Sequence, residues 1–325
     1  MNNIDKTPSV SVIIPTYKRP KMLKRALKSV LNQTYNKIEI IIVDDNSINS
    51  KYRKKTAEVV KDFKINNNIK YIENKKNLGG SKTRNIGIKA SKGKYITFLD
   101  DDDEWLPEKI SKQINKLFNS QIKDIKIIYT GSLTYNQGKI VRKKLPKYKG
   151  NVFYRILDNN IIPGGGSSIL INKKCFDEVG DFNENLPAAQ DYDMWIRLAE
   201  KYKFDFVKEP LVINYIHSKH RITDDIVSKK KAYDYIYKEY YKKELNLIKA
   251  NKKYSYNLQR VAHWLCLTDN INEGRKTYRK ALRKWPFSFK VWFKYFISLF
   301  NNKIYKKIWK LKRKLLDQNI EVRKY

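Results

Sequence analysis

Tyr95-Ile-Thr-Phe-Leu-Asp-Asp-Asp-Asp-Glu-Trp-Leu-Pro107 decides the reading of this chain, because a short β-branched and aromatic run ends there in four adjacent aspartates. The apolar half, Tyr95 to Leu99, has no helical period and predicts a buried strand. Asp100 to Asp103 cannot carry that strand further into a core, since unpaired carboxylates lose their solvation on burial. Something positive must face them. Hard oxygen ligands of this kind suit Mg²⁺ or Mn²⁺, which carboxylates hold while bound phosphates complete the shell. The alternative is a solvated acidic loop or helix N-terminus, with Pro107 opening the next helix.

Outward from this stretch, Ser9 to Ile14, Ile38 to Val43 and Ile69 to Ile72 predict three further strands. Helices are expected between them. Met22, Leu23, Ala26, Leu27, Val30 and Leu31 recur at helical spacing behind Pro20; Lys51 to Phe63, Ser81 to Ala90 and Pro107 to Phe118 give three more. Near-continuous apolar strands alternating with amphipathic helices imply a parallel sheet covered on both faces. Polar clusters follow three of the strands: Pro15-Thr16-Tyr17, Asp44-Asp45 and Asp100 to Asp103. Ligands bind at the carboxyl edge of open α/β sheets, so these clusters are expected to line one crevice. Neither Gly-x-Gly-x-x-Gly nor Gly-x-x-x-x-Gly-Lys-Ser/Thr occurs. A nucleotide diphosphate here would need a metal and basic side chains in place of a glycine-rich helix start, and the aspartates with Arg84 could supply both.

Ile125 to Tyr129 predicts another strand, followed by a basic connection over Lys139 to Lys149, a hairpin or loop. Pro163-Gly-Gly-Gly-Ser-Ser168 precedes a strand over Ile169 to Ile171, and its glycines allow either a tight turn or close approach of the backbone to a ligand. A helix with acidic residues in its first turn runs from Asp191 to Ala199, where Asp191 and Asp193 also fit simple capping. Two short strands, Phe204 to Val207 and Leu211 to Tyr215, lead to His217.

The balance of 69 basic against 33 acidic residues gives a formal charge of +36, which attracts nucleic acid, anionic lipid or acidic polymer, although lysine abundance throughout the chain equally fits a solvated surface. No apolar run approaches the ~20 residues that span a bilayer. The first residues lack the apolar core of a signal peptide, so a cytoplasmic location is expected. The two cysteines, Cys175 and Cys266, lie far apart and read as buried small hydrophobes. From about Ser228 the composition turns to Lys- and Tyr-rich helix. Ala262, Leu265, Ala281 and Leu282, with Gly274 between, suggest a helical hairpin. Trp285 to Phe300 is dense in aromatics beside lysines, a pattern that fits an anionic membrane interface, packing against the catalytic domain or a second subunit in a homo-oligomer. Two regions are therefore expected, 1–225 and 226–325.

Ser11-Val-Ile-Ile-Pro-Thr-Tyr17, Val43-Asp-Asp-Asn-Ser47, Asn77-Leu-Gly-Gly-Ser-Lys-Thr-Arg-Asn85, Phe98-Leu-Asp-Asp-Asp-Asp103 and Gln190-Asp-Tyr-Asp-Met-Trp195 stand in the order seen in family 2 glycosyltransferases, and about residues 8–220 resemble that family. The resemblance implies a GT-A fold, an α/β architecture with a mixed, mainly parallel sheet between helices, continued here by a C-terminal helical extension. It implies an inverting, metal-dependent transfer from a nucleotide-sugar donor, with uridine preferred, to a lipid-linked or cell-envelope glycan at the inner face of the membrane. Carried over by position, Pro15, Thr16 and Tyr17 would contact nucleobase and ribose, and Asp45 would accept from the base. Asp44 and Gly79 fall within the donor-side motifs and Arg19 two residues after the first of them, all three expected on the donor side, and Arg84 would sit near the diphosphate or ribose. Asp102 would bind Mn²⁺ or Mg²⁺ with His217, leaving Asp100 and Asp101 toward the donor, in a register open by one residue. Asp191 resembles the general base. Gly165, Gly166, Ser167, Gln190 and Trp195 are expected on the acceptor side. Gln190 replaces the usual acid before the base, and Asn214-Tyr215-Ile216-His217 replaces Tyr-Arg-x-His. Two other readings compete: a nucleotidyltransferase on a similar sheet, and a basic nucleic-acid-binding protein that lacks a recognised motif.

Overall fold

Side chains alternate across a strand, so each strand of a covered sheet must be apolar in both directions. β1 (Val10–Thr16) shows how this works. Val10, Val12 and Ile14 join a core with Leu23, Ala26, Leu27 and Val30 of α1 (Pro20–Leu31), while Ile13 faces the opposite side. The computed structural model describes residues 8–64, 68–216 and 225–311, which fall into two compact units, one of the described residues within 8–185 and 190–216 and one of 186–189 with 225–311.

In the first unit β1 is followed by β2 (Ile38–Asp44), α2 (Lys51–Lys64), β3 (Ile69–Glu73), α3 (Gly80–Ala90) and β4 (Tyr95–Phe98). These four strands pair in parallel in the order β3-β2-β1-β4, as the hydrophobic pattern predicts. The chain then makes a short β5 (Asp103–Trp105), α4 (Lys109–Phe118), and a hairpin of β6 (Ile127–Asn136) with β7 (Lys139–Lys144). After α5 (Phe153–Asp158) come β8 (Ile169–Asn172), α6 (Lys174–Val179), α7 (Gln190–Lys201) and β9 (Phe204–Tyr215). β8 inserts antiparallel between β4 and β6, β9 runs parallel to β6, and β5 closes the path antiparallel to β9. The result is one mixed sheet of nine strands among the described residues.

Two expectations need correction. The acidic run is neither a free loop nor a helix start, because Asp103 already belongs to β5 and the helix begins at Lys109. Its partner strand lies more than a hundred residues downstream, which no local pattern announces. Phe204 to Val207 and Leu211 to Tyr215 form one continuous strand, not two. Pro210 lacks a donor for the ladder, and the pairing of β9 with β6 shifts register there, between Thr130 and Ser132, instead of ending. Gly131 sits at that shift because a Cβ would come within 2.5 Å of the Lys144 carbonyl oxygen.

The second unit contains α8 (Ile226–Ile236), continued by a π-turn over Tyr237–Tyr241, a single turn α9 (Lys242–Glu244), α10 (Leu247–Leu267), α11 (Ile271–Lys284) and α12 (Phe289–Ser298). α10 and α11 form the expected hairpin. Gly274 lets them close up, since a Cβ there would lie 2.3 Å from Cys266 Sγ. Cys175 and Cys266 are free and buried, as expected. Among the described residues no helix is long and apolar enough to cross a membrane.

The same steric logic fixes α3 on the sheet. A Cβ on Gly87 would stand 2.4 Å from Ile13 Cγ2, and Ile13 is held between β2 and β4 by both ladders. Gly87→Ala is therefore expected to destabilise the fold by about 1–3 kcal/mol through overpacking, less the gain of up to about 1 kcal/mol in helix propensity. Urea unfolding of the two proteins measures the difference.

Candidate active site

The carboxyl ends of β1, β2 and β4 finish side by side. Thr16 pairs with Asp44, the Asp45 amide donates to the Thr16 carbonyl at 2.9 Å, and the Leu99 amide donates to the Ile13 carbonyl at 3.0 Å. The three polar clusters therefore meet at one rim, as their position after parallel strands requires.

At the end of β4 the four aspartates part company. The Asp103 amide donates to the Asp100 carbonyl at 3.0 Å, closing a turn whose first and last residues come together. One carboxylate oxygen each from Asp100, Asp102 and Asp103 lie within 4.8 Å of one another. Asp101 points elsewhere. Its oxygens accept from Thr16 Oγ1 at 2.8 Å, the Tyr17 amide at 3.3 Å and Arg19 Nη1 at 3.1 Å. Arg19 Nη1 also donates to Asp102 at 2.9 Å. Arg84 Nη2 donates to Asp100 at 2.6 Å. Asp103 accepts from Ser167 Oγ at 2.6 Å. Burial pushes the Asp101 carboxyl up to about 7, with Asp102 adding to the rise and Arg19 and Thr16 opposing it. Burial raises Asp103 well above its ordinary value, and Asp100 and Asp102 raise it further. Negative charge is crowded here.

Ser167 belongs to the glycine loop Gly164–Ser168, and β8 carries that loop to the tetrad. Ser167 Oγ also accepts the Asp100 amide at 3.1 Å, while Trp105 Nε1 donates to the Ser167 carbonyl at 2.7 Å. The ring of Trp105 lies 3.8 Å from Nζ of the fully buried Lys109, which donates to Gln113 at 2.9 Å; Gln113 in turn donates to the Ser168 carbonyl at 3.0 Å. The loop is thus tied down from beneath on α4. Gly164 and Gly165 have positive φ, +74° and +58°, and a Cβ on Gly165 would come 3.5 Å from Asp191 Oδ2. Asp191 opens α7 half-buried. Burial raises its carboxyl above the ordinary value, the Tyr192 amide and Arg84 pull it down, and Asp100 adds to the rise.

Pro15, Thr16, Tyr17, Arg19, Gly79, Arg84, Asp100, Asp101, Asp102, Gly165, Gly166 and Asp191 all come to this rim or its loops. Gln190 is half-buried beside Asp191. Other expectations change. Asp44 is fully buried, accepting from Tyr71 Oη at 2.6 Å and the Asn46 amide at 2.8 Å and lying 3.4 Å from Arg53, so it is a structural group and not a donor contact. Asp45 accepts four hydrogen bonds, from Asn74 Nδ2, Asn77 Nδ2 and the Leu78 and Gly79 amides, all at 2.8–2.9 Å. With its lone pairs so occupied it clasps the loop before α3. Ser167 is buried and spent on Asp103, and Trp195 is fully buried against Phe182, so neither faces an acceptor. His217 lies outside the described residues. Arg25, which donates to the Asp102 carbonyl at 2.8 Å, is not singled out by the sequence, and Asp103, one of the four aspartates read there as candidate metal ligands, receives no separate role from the resemblance.

The family described as "Glycosyl transferase family 2" matches residues 11–180 of the chain. The chain belongs to this family. An uncharacterized glycosyltransferase of Rickettsia felis is 37% identical over 217 residues, 65% of this chain, and the match spans about a third, 35%, of that relative's length. MJ1057 of Methanocaldococcus jannaschii, also an uncharacterized glycosyltransferase, is 32% identical over 70% of this chain and 77% of its own. WcaA of Escherichia coli, a glycosyl transferase named for colanic acid biosynthesis, is 33% identical over 76% of this chain and 85% of its own. Among solved structures, S. aureus TarS 1-349 in complex with UDP-GlcNAc superposes with a TM-score of 0.64 at 16% identity, covering 94% of this chain and 92% of that one. That likeness shows the shared fold, GT-A. Membership of a glycosyltransferase family decides against the nucleotidyltransferase and nucleic-acid-binding readings.

Removing the Asp45 carboxylate strands four donors, two of them the Leu78 and Gly79 backbone amides, which rebuild their bonds only if the loop moves. Asp45→Ala is expected to lose about 2 kcal/mol or more without any ligand present, as a lowered urea midpoint in nucleotide-free buffer. An unchanged midpoint contradicts the clasp.

Proposed function

We propose that this family 2 glycosyltransferase moves a sugar from a nucleotide-diphosphate donor, preferably a UDP-sugar, to a hydroxyl of a glycan or lipid-linked acceptor, with inversion at the anomeric carbon. The observation that carries this reading is the convergence of Asp191, Arg84 and the Asp100–Asp102–Asp103 cluster at one rim of the sheet. The choice of UDP is supported by the TarS fold having been solved with UDP-GlcNAc and with UDP. A glycan acceptor is supported by the colanic acid assignment in the name of WcaA.

The residues at the tetrad fit a divalent cation. Asp100, Asp102 and Asp103 offer hard oxygen donors close enough to share one ion, and burial, with Asp100 and Asp102 adding to it, raises the Asp103 carboxyl well above its ordinary value. Asp100, Asp102 and Asp103 would hold Mn²⁺ or Mg²⁺ there, and the ion would supply charge neutralisation for the nucleotide diphosphate. Arg84 and Arg19 add fixed positive charge at the same rim, each already bound to an aspartate that would be shared with the donor's surroundings. Pro15, Thr16 and Tyr17 at the end of β1 receive the nucleoside. Asp101 fixes that segment through Thr16 and the Tyr17 amide.

An acceptor hydroxyl is a weak nucleophile at neutral pH, and Asp191 takes its proton as the oxygen attacks the sugar carbon. A single displacement gives inversion. Gly165 leaves open the space beside Asp191 Oδ2 through which the acceptor approaches.

Asp191→Asn should keep donor binding, measured by calorimetry with UDP and Mn²⁺, and lose about 10²–10⁴-fold in turnover. Turnover within a few-fold of the parent sinks the assignment. The pH profile supplies an independent check. The base works only when ionised, and burial together with Asp100 raises its carboxyl against the pull of Arg84 and the Tyr192 amide. Turnover should therefore fall on the acid side at a pH above the ordinary aspartate value of about 3.9, and a rate that stays flat down to that value contradicts the base role.

A further inference from the structure

α12 buries one face and leaves the other bare. Val291, Ile297 and Ser298 are buried within the second unit, whereas Phe289, Trp292, Phe293 and Phe296 stand exposed at i, i+3, i+4 and i+7. Phe289 is 84% exposed and its neighbour Phe287 81%. The exposed rings stack on one another, Phe289 on Phe293 at 6.4 Å and Trp292 on Phe296 at 5.6 Å, and Leu299 and Phe300 continue the stripe. A contiguous aromatic stripe of this size is costly in water and marks a contact surface. The charge around it identifies the partner. Residues 271–311 hold twelve lysines and arginines and one acid, Glu273, against 69 to 33 in the whole chain, so the region is far more one-sided than the lysine-rich composition accounts for. Lys290, Lys303, Lys307 and Lys310 are exposed.

We infer that the aromatic face of α12 and the lysines around it dock the protein on an anionic lipid bilayer. A helix with bulky aromatics on one face and basic residues beside them lies in the interface plane, its rings among the headgroups and acyl ends and its lysines on the anionic surface. The helix does not cross the bilayer. A second copy of this chain is a poorer occupant, because the basic region would meet its own like charge.

Cosedimentation of the full chain with vesicles tests this. Binding is expected to vesicles containing phosphatidylglycerol, weakly or not at all to pure phosphatidylcholine, and to weaken as salt rises. The triple variant Phe289→Ser/Phe293→Ser/Phe296→Ser should lose about tenfold or more in vesicle affinity. Its side chains are exposed, so circular dichroism and the thermal midpoint should match the parent. Lys290→Glu/Lys303→Glu/Lys307→Glu should lose binding to the anionic vesicles without touching the aromatic stripe. No binding to phosphatidylglycerol vesicles at low salt, equal binding to neutral vesicles, or a triple variant that binds like the parent overturns the inference. A self-association that the triple variant abolishes, in a protein that ignores vesicles, overturns it in favour of a second copy.

Discussion

Four carboxylates follow one another directly after β4 and Leu99, and the repulsion among them is met by hydrogen-bond and ion-pair partners drawn from different elements. Arg84 takes Asp100, Thr16 and Arg19 take Asp101, Arg19 also reaches Asp102, and Ser167 takes Asp103. Like charges held this close raise one another's pKa values unless something positive intervenes. The partners come from β1 and the turn after it, from α3 and from the loop before β8, so the electrostatics of the four carboxylates depend on strand order across most of the first unit. β8 matters most in this respect. Its antiparallel pairing to β4 sets Ser167 against the Asp100 amide and the Asp103 carboxylate together.

A second clasp orders the opposite side of the rim. Asp45 gathers Asn74, Asn77, Leu78 and Gly79, and Gly79 at φ +86° turns the chain into α3. α3 sits flush on β1 because Gly87 has no side chain, and that seat directs Arg84 toward Asp100. The sequence places these aspartates in one pair, Asp44-Asp45, and one run, Asp100 to Asp103; the structure uses some to build the rim and leaves others on it.

Strand and helix periodicity made the parallel half of the sheet legible: continuous apolar runs at β1, β2 and β4 admit few other readings, and the order of polar clusters behind them located the rim. What could not be read depends on long-range pairing or on side-chain direction. Asp44 and Asp45 are adjacent and equally polar, yet alternation sends one inward to Tyr71 and Arg53 and the other to the loop. Trp195 reads as a binding aromatic one helical turn beyond Asp191, yet it is fully buried and packs against Phe182. Within the acidic run, local spacing alone favours Asp100 with Asp102, and only the turn closed by the Asp103 amide shows that Asp103 returns beside them while Asp101 leaves. Phe204 to Val207 and Leu211 to Tyr215 read as two strands, whereas a register shift at Pro210 joins them into one.

That division of the four aspartates is the claim from which the site follows, and a metal titration of four single variants addresses it directly. Mn²⁺ affinity would be measured by calorimetry with UDP present for Asp100→Asn, Asp101→Asn, Asp102→Asn and Asp103→Asn. Affinity should collapse in the variants at 100, 102 and 103, while Asp101→Asn keeps its metal and loses thermal stability through Thr16 and Arg19. Loss of Mn²⁺ binding in Asp101→Asn with binding retained in Asp103→Asn would contradict the arrangement.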